Sequence, residues 1–212
     1  MTILVTGATG NIGTQVVQHL AAHGADVKAL VRDPSKAAFP ADVEIVQGDF
    51  LNVDSLRQAF EGVSTLFLLN AVVPDEFTQA LIALNLARAA GIERIVYLSV
   101  IHPDVYVNVP HFAGKFAVER MIEQMGMSAT ILRPAYFMQN ELMIQEAITG
   151  YGVYPMPVGD KGLAMVDVRD IAEIAALELL RREQSAQPLP LDRINLVGPD
   201  ILTGATAAAI WS

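Results

Sequence analysis

Short apolar runs alternate with longer amphipathic stretches along most of the chain. The apolar runs predict strands at residues 3–5, 26–31, 43–49, 64–69, 94–99, 128–133, 163–166 and 193–197. The intervening patterns predict helices at residues 14–22, 53–60, 75–90, 111–125, 136–148, 171–181 and 203–212. This alternation is typical of repeated βαβ units. We therefore predict an α/β fold with a doubly wound parallel Rossmann sheet and right-handed crossovers.

The alternation loosens after residue 134, where prolines and glycines interrupt the pattern. We predict a single domain over residues 1–212, in which 134–165 and 198–212 form a small C-terminal substrate lobe. The linker-like stretch at 184–190 is too short to divide domains. Hydrophobic residues make up 52% of the chain, which is enough for the core of one domain of this size.

Composition narrows the classes of function. A net charge of −9 argues against nucleic-acid binding through a basic surface. The chain has no cysteine, and its four histidines do not cluster with carboxylates, so we expect no metal site. No apolar run reaches the roughly 20 residues of a membrane helix. The first strand begins at residue 3, which leaves no room for a signal peptide, so we expect a cytoplasmic protein without a membrane association.

The turn after the first strand is a candidate phosphate site. Its glycines are spaced GxxGxxG, between a short strand and a helix. Glycines let the backbone approach a pyrophosphate, and the free N–H groups at the start of the helix attract its charge. The candidate cofactor-binding residues of this turn are Gly7, Thr9, Gly10, Asn11, Ile12 and Gly13. We therefore predict dinucleotide binding rather than an ordinary glycine turn.

Arg32 follows the second strand, at the position that faces the adenosine ribose in a dinucleotide-binding fold. An arginine there favours the 2′-phosphate of NADP, whereas an acidic residue favours the free hydroxyl of NAD. Asp33 comes next, but the arginine comes first, so we predict NADP (NADPH) as the cofactor. The alternative for Arg32 is a solvated loop charge, and Lys36 either assists or is simply a surface residue.

The chain resembles the NmrA-like group of atypical short-chain dehydrogenases/reductases. The resemblance rests on ILVTGATGNIG, ALVRDPSKA, VEIVQGDF, RIVYLSV, HFAGKFAVERMIEQMGMSATILRPAYFMQN and VDVRDIAEIAALELL, which occur in family order over nearly the whole chain. It implies a Rossmann sheet with a small lobe over the cofactor cleft. Family members usually run on for several tens of residues, so we expect the substrate lobe to be truncated.

The resemblance also implies further cofactor contacts. Asp49 and Phe50 flank the adenine in this interpretation, although Asp49 is equally interpretable as a helix cap. Leu69 and Asn70 end the fourth strand, where a cofactor crosses the sheet edge. The resemblance places the segment after the sixth strand along the nicotinamide, with the alternative that its aromatic rings are core. Its candidate residues are Pro134, Tyr136 and Phe137.

The familiar Tyr-x-x-x-Lys pair of short-chain dehydrogenases is altered here. The chain has His111 and Lys115, whose i, i+4 spacing puts them on one helix face. The resemblance implies that Lys115 holds the nicotinamide ribose; the alternative is a surface ion pair with Glu119. His111 is a candidate proton donor because imidazole titrates near neutral pH, or else a helix-start residue without chemistry. Tyr106, in the preceding loop, is a substitute donor.

These observations predict an NADP(H)-dependent oxidoreductase that reduces a quinone or a similar small electrophile. The alternative is a non-catalytic, redox-sensing regulator that binds NAD(P) and a partner protein, because the usual tyrosine is missing. A sugar-nucleotide epimerase is a third interpretation, against which the same missing tyrosine counts. A small-molecule substrate is expected, and either a homodimer or a regulatory protein partner is compatible with the sequence.

Overall fold

A sheet of seven parallel strands forms the centre of the protein. A computed structural model describes all of residues 1–212. Its strands are β1 (Thr2–Val5), β2 (Asp26–Val31), β3 (Glu44–Gln47), β4 (Val63–Leu68), β5 (Arg94–Leu98), β6 (Ser128–Pro134) and β7 (Asp192–Leu196). Their order is β3-β2-β1-β4-β5-β6-β7, and every neighbouring pair is parallel. The order reverses between β1 and β4, which opens a crevice at the carboxyl ends of these strands.

Helices cover both faces of the sheet, which confirms the predicted doubly wound α/β class. They are α1 (Gly13–Ala22), α2 (Val53–Ala59), α3 (Glu76–Ala89), α4 (Pro110–Gln124), α5 (Gln145–Tyr151), α6 (Val168–Gln184) and α7 (Gly204–Trp211). Helices α1 and α6 pack on one face, and α2, α3 and α4 on the other. Successive residues of a strand point to opposite faces, so Ile3 and Val5 join one core and Leu4 the other.

The segment after β6 differs from the predicted elements. The helix expected at 136–148 is a 3₁₀ segment, Met138–Ile144, followed by α5. The strand expected at 163–166 is reduced to isolated bridges between Leu163 and Leu202 and between Phe137 and Val166. Met138 N–H donates to the Val166 carbonyl, and Val166 N–H to that of Tyr136. Short apolar runs therefore pair here without making a regular strand, and the assignment of this region as a substrate lobe stays a prediction.

Helix α6 is longer than predicted at both ends. It begins at Val168 because the Asp167 carboxylate accepts from Arg169 N–H at 2.8 Å and caps the helix. It continues to Gln184 because Arg182 and Glu183, polar residues that usually mark a solvent face, are buried. Arg182 donates to the Thr130 and Ser128 hydroxyls. No helix of the structure combines the length and apolar character needed to cross a bilayer.

Candidate functional site

A cavity of about 390 Å³ lies at the crevice between β1 and β4. Four loops that follow β1, β2, β3 and β4 line most of it, with a contribution from α3. The lining residues are Gly7, Thr9, Gly10, Leu30, Val31, Arg32, Gly48, Asp49, Phe50, Leu51, Leu69, Asn70, Ala71, Val73 and Gln79. The structure thus brings together predicted residues from all four loops. Gly48, Val73 and Gln79 belong to no local sequence motif, so they could not be predicted as cavity residues.

The glycine turn is fixed by backbone geometry that only glycine allows. Gly7 has a φ of +62°, in the left-handed region. A Cβ on Gly13 would lie 2.1 Å from the Gly7 carbonyl oxygen, so α1 starts in direct contact with the turn. The Thr6 hydroxyl accepts from Leu69 N–H at 2.8 Å and ties the turn to the end of β4. The turn is therefore held rigidly against the sheet.

The start of α1 leaves backbone donors without a protein partner. The amides of Asn11, Ile12 and Gly13 donate to no acceptor in the protein. No side chain caps the helix either, because the Ile12 side chain at the cap position is buried in the core. Free N–H groups at a helix N-terminus, with the helix dipole behind them, form an anion site. Ile12 and Gly13 can serve a ligand only through these backbone groups.

A smaller cavity shares Thr9 and Arg32 with the first, and its four lining residues are all polar or charged: Thr9, Arg32, Asp33 and Lys36. The Asp33 carboxylate caps the 3₁₀ turn Pro34–Lys36 and accepts from Ser35 N–H at 3.1 Å and from its hydroxyl at 2.6 Å. These bonds lower the pKa of Asp33. The Arg32 guanidinium has no hydrogen bond or ion pair within the protein. The acidic neighbour is thus engaged, while the Arg32 cation is left for a ligand.

Asp49 is not the helix cap that the sequence left open. Asn52 caps α2, because its side-chain oxygen accepts from Ser55 N–H at 3.1 Å. The Asp49 carboxylate instead accepts from Leu51 N–H at 2.8 Å, which makes a local turn in the cavity wall beside Phe50. The pair is therefore placed in the cavity, and its contact with an adenine stays a prediction.

Lys115 is buried between α4 and β5. Its residue is 5% exposed, and its ammonium donates to the Leu98 carbonyl at 3.1 Å. The ammonium also lies 5.2 Å from the centre of the Tyr97 ring. Burial lowers the pKa of Lys115 to about 8, against the opposing effect of the Glu76 carboxylate. A narrow pocket beside it, too small for a water molecule, is also lined by Asn70, which lines the large cavity as well.

The alternative interpretation of Lys115, a surface ion pair with Glu119, is wrong, because both residues are buried and no ion pair joins them. The Glu119 carboxylate is buried and accepts from Arg133 at 3.1 and 2.5 Å. It also accepts from the Ser99 hydroxyl at 2.5 Å. The sequence analysis missed this network, because it joins the ends of β5 and β6 to the middle of α4. Hydrogen bonding to this carboxylate raises the pKa of Arg133.

His111 lies in the first turn of α4 and pairs with Glu76 from the first turn of α3. The His111 Nδ1 atom is 2.7 Å from Glu76 Oε1. The imidazole is 31% exposed, whereas the Glu76 side chain is 9% exposed. Tyr106 lies in the exposed loop before α4, with its ring edge-on to Phe112 at 5.5 Å between centroids. His111 therefore has an acidic partner that the sequence analysis did not identify, and Tyr106 has none.

The three predicted residues after β6 do not line the large cavity. Pro134 is the last residue of β6, and Phe137 packs against the core of the α1 and α6 face. The Tyr136 hydroxyl contacts the Met156 sulfur at 3.7 Å, and burial together with Glu141 raises its pKa. Phe137 thus fits the core alternative for its ring, while contacts of this segment with a nicotinamide stay a prediction.

The family can now be identified. The chain matches the model of the NmrA-like family over residues 1–212. It belongs to the NmrA-like family, as the sequence motifs predicted. A curated relative, the NAD(P)H azoreductase of Xenophilus azovorans, is 34% identical over 214 residues, which cover 99% of this chain and 72% of that protein.

Two solved reductase structures share the fold closely. The NADPH-dependent quinone oxidoreductase QOR2 of Escherichia coli, solved with NADPH, matches with a TM-score of 0.87 and 29% identity. The match covers 100% of this chain and 74% of that one. The triphenylmethane reductase of Citrobacter sp., solved with NADP(H), matches with a TM-score of 0.86 and 28% identity over 99% and 74% of the two chains. The chain thus spans about three quarters of these proteins.

Proposed function

We propose that this NmrA-like protein is an NADPH-dependent oxidoreductase that reduces a quinone or a similar small electrophile. The observation that carries the proposal is the pair of adjoining cavities, one lined by the glycine turn and the other by the unpartnered Arg32. The names of the relatives support the same class, since they are reductases of quinones and dyes that use NAD(P)H. A cytoplasmic location belongs to the same proposal.

The residues present fit the charges and hydrogen-bonding groups of the cofactor. The amides of Asn11, Ile12 and Gly13 would hold the pyrophosphate, and Arg32 would hold the 2′-phosphate by a charge-assisted contact. Lys115 would hold the nicotinamide ribose through the two ammonium hydrogens that the Leu98 carbonyl leaves free. When bound, NADPH supplies a hydride to the electrophile.

We propose His111 as the proton donor to the reduced oxygen. Its imidazole is partly exposed and lies one helical turn before Lys115. A weak acid can protonate a quinone oxygen once the quinone has been reduced. An imidazole is therefore sufficient at the position where other short-chain dehydrogenases use tyrosine. Tyr106 is the second candidate for this role, although its position against Phe112 in the exposed loop favours it less.

The test is the rate of NADPH oxidation with a series of quinones. The wild type is expected to turn over well above the uncatalysed rate. Arg32→Ala is expected to lower kcat/KM for NADPH by about 10- to 100-fold, from the loss of one or two charge-assisted bonds. Arg88→Ala, at an exposed arginine that has no ion pair, is the matched control and is expected to behave as the wild type. Turnover at background level in the wild type would overturn the proposal.

A regulatory role without turnover is the second candidate. The observation that favours it is histidine in place of the usual tyrosine at position 111. In that case NADPH still binds, the quinone assay stays at background, and the affinity for a protein partner changes with the oxidation state of the cofactor. A homodimer or such a partner remains a prediction.

A further inference from the structure

We propose that Glu76 is a positioning residue that orients His111 and fixes the tautomer of its imidazole for proton donation. The inference rests on the proposed function and deepens it. It starts from a short contact that links two helices across the site: Glu76 Oε1 lies 2.7 Å from His111 Nδ1. Neither the imidazole nor the carboxylate makes a hydrogen bond or an ion pair with any other side chain, so this contact is the polar interaction that joins them.

The contact fixes which imidazole nitrogen can serve the substrate. A carboxylate accepts and does not donate, so Nδ1 must carry its hydrogen to make the bond. The proton available for transfer is then on Nε2 of the charged ring. Carboxylate–histidine pairs fix the ring orientation and the tautomer in this way in other sites.

The Glu76 carboxylate is largely removed from solvent, and its hydrogen-bonding capacity is only partly used. Its side chain is 9% exposed, and the second carboxylate oxygen, Oε2, is buried without a hydrogen-bond partner. The Asn70 amide donates to the Glu76 backbone carbonyl at 2.8 Å and anchors the start of α3. On α4, Gly114 has no side chain, and a Cβ there would lie 3.6 Å from Glu76 Oε1. A buried and incompletely paired carboxylate is costly, which favours a functional reason for it.

Asn70 connects this pair to the cofactor cavity. It lines the large cavity, and it also lines the narrow pocket that contains Glu76, Tyr97 and Lys115. Its side-chain oxygen and the Tyr97 hydroxyl are also buried without partners. The titratable groups that share this pocket with Glu76 are thus Lys115 on α4 and Tyr97 on β5. Neither of them is bonded to the imidazole.

The proton passes from His111 to the electrophile. The reduced oxygen of the electrophile carries the electron pair of the transferred hydride, and it takes the proton from His111 Nε2. The N–H bond breaks, the O–H bond forms, and the imidazole becomes neutral with Nδ1–H still donated to Glu76. Because the ring is 31% exposed, it regains a proton from solvent before the next turnover.

The test compares wild type with Glu76→Gln, which keeps the size and removes the charge. Glu173→Gln, at an exposed glutamate of α6 without an ion pair, is the control. Nitrogen NMR of the ring is expected to show His111 protonated at Nδ1 at alkaline pH in the wild type, and as a mixture of tautomers in Glu76→Gln. His19, His23 and His102 serve as internal references.

The kinetic arm measures quinone reduction at saturating NADPH. Glu76→Gln is expected to lower kcat by about 10-fold, with an unchanged KM for NADPH. Glu173→Gln is expected to change neither kcat nor KM. An unchanged tautomer and an unchanged kcat in Glu76→Gln would overturn the inference, even if its melting temperature falls, because the pair is then only a structural contact between helices. Absence of turnover in the wild type overturns the proposed function itself.

Discussion

The two basic residues of the candidate site are held in opposite ways. Arg32 is exposed and has no partner in the protein, so its charge is free to meet an anionic ligand. Lys115 is almost fully buried, with one backbone acceptor and an aromatic ring beside its ammonium. Burial without a carboxylate partner at bonding distance disfavours the charged form, which is why the pKa of Lys115 falls to about 8.

This lysine makes stability depend on pH in a definite direction. The pKa of Lys115 rises from about 8 in the folded state to its ordinary value near 10.5 on unfolding, so the unfolded chain binds more protons between these values. The free energy of unfolding therefore gains about 2 kcal/mol from this residue between pH 8 and 10. Denaturant unfolding of wild type and Lys115→Met over this range measures the gain, which the variant is expected to lack.

The control for this measurement is Lys161→Met, at an exposed lysine without an ion pair. It is expected to keep the pH dependence of the wild type. If Lys115→Met and wild type respond equally to pH, the ammonium is not desolvated as the structure indicates.

At the level of single residues, the sequence singled out candidates that lie in local motifs and missed contacts that depend on packing. Arg32 could be placed beside the cavity because it directly follows a strand. The engagement of Asp33 with Ser35 was not, since Asp33 in isolation favours the other cofactor. Glu76 was missed for a different reason: it meets His111 only because α3 and α4 lie side by side, and their sequence separation of 35 residues carries no local signal.

The glycine turn and helix α1 act as one unit at the level of secondary structure. Gly13→Ala would put a Cβ 2.1 Å from the Gly7 carbonyl oxygen, a backbone atom that cannot move without disturbing β1. We expect a loss of about 1–3 kcal/mol in the free energy of unfolding from this overpacking, together with weaker NADPH binding. Thermal unfolding and cofactor titration measure the two effects.

Gly150→Ala is the matched control, because a Cβ there meets nothing within 4 Å and the residue lies inside α5. It is expected to leave binding unchanged and to raise stability by about 0.4–1 kcal/mol. Equal behaviour of the two variants would show that α1 tolerates a shift away from the turn.

The elements themselves were largely predictable as far as β6, because buried parallel strands and amphipathic helices have distinct apolar patterns. The region from 136 to 166 was not, because its apolar residues pair through isolated bridges and a 3₁₀ segment that have no sequence period. The C-terminal end of α6 was missed because hydrogen bonds, rather than apolar periodicity, hold its last turn. Arg182 donates to the Thr130 hydroxyl, and the Glu183 carboxylate accepts from the Ser64 hydroxyl.

At the scale of the whole molecule, the candidate residues form two groups at different positions along the sheet. The loops after β1, β2, β3 and β4 provide most of the large cavity and its cationic neighbour, and α3, α4 and β5 provide the buried cluster around Lys115. Asn70, after β4, belongs to both. This arrangement follows from the reversal of strand order between β1 and β4, which places ligand-binding loops at one end of the sheet.

The central claim is that the chain is built for the phosphorylated cofactor, and equilibrium titration of the wild type with NADPH and with NADH tests it most directly. Arg32 and the engaged Asp33 predict that NADPH binds about 10- to 100-fold more tightly, and that Arg32→Ala removes this preference by weakening NADPH alone. Equal affinities, or tighter binding of NADH, would contradict the account.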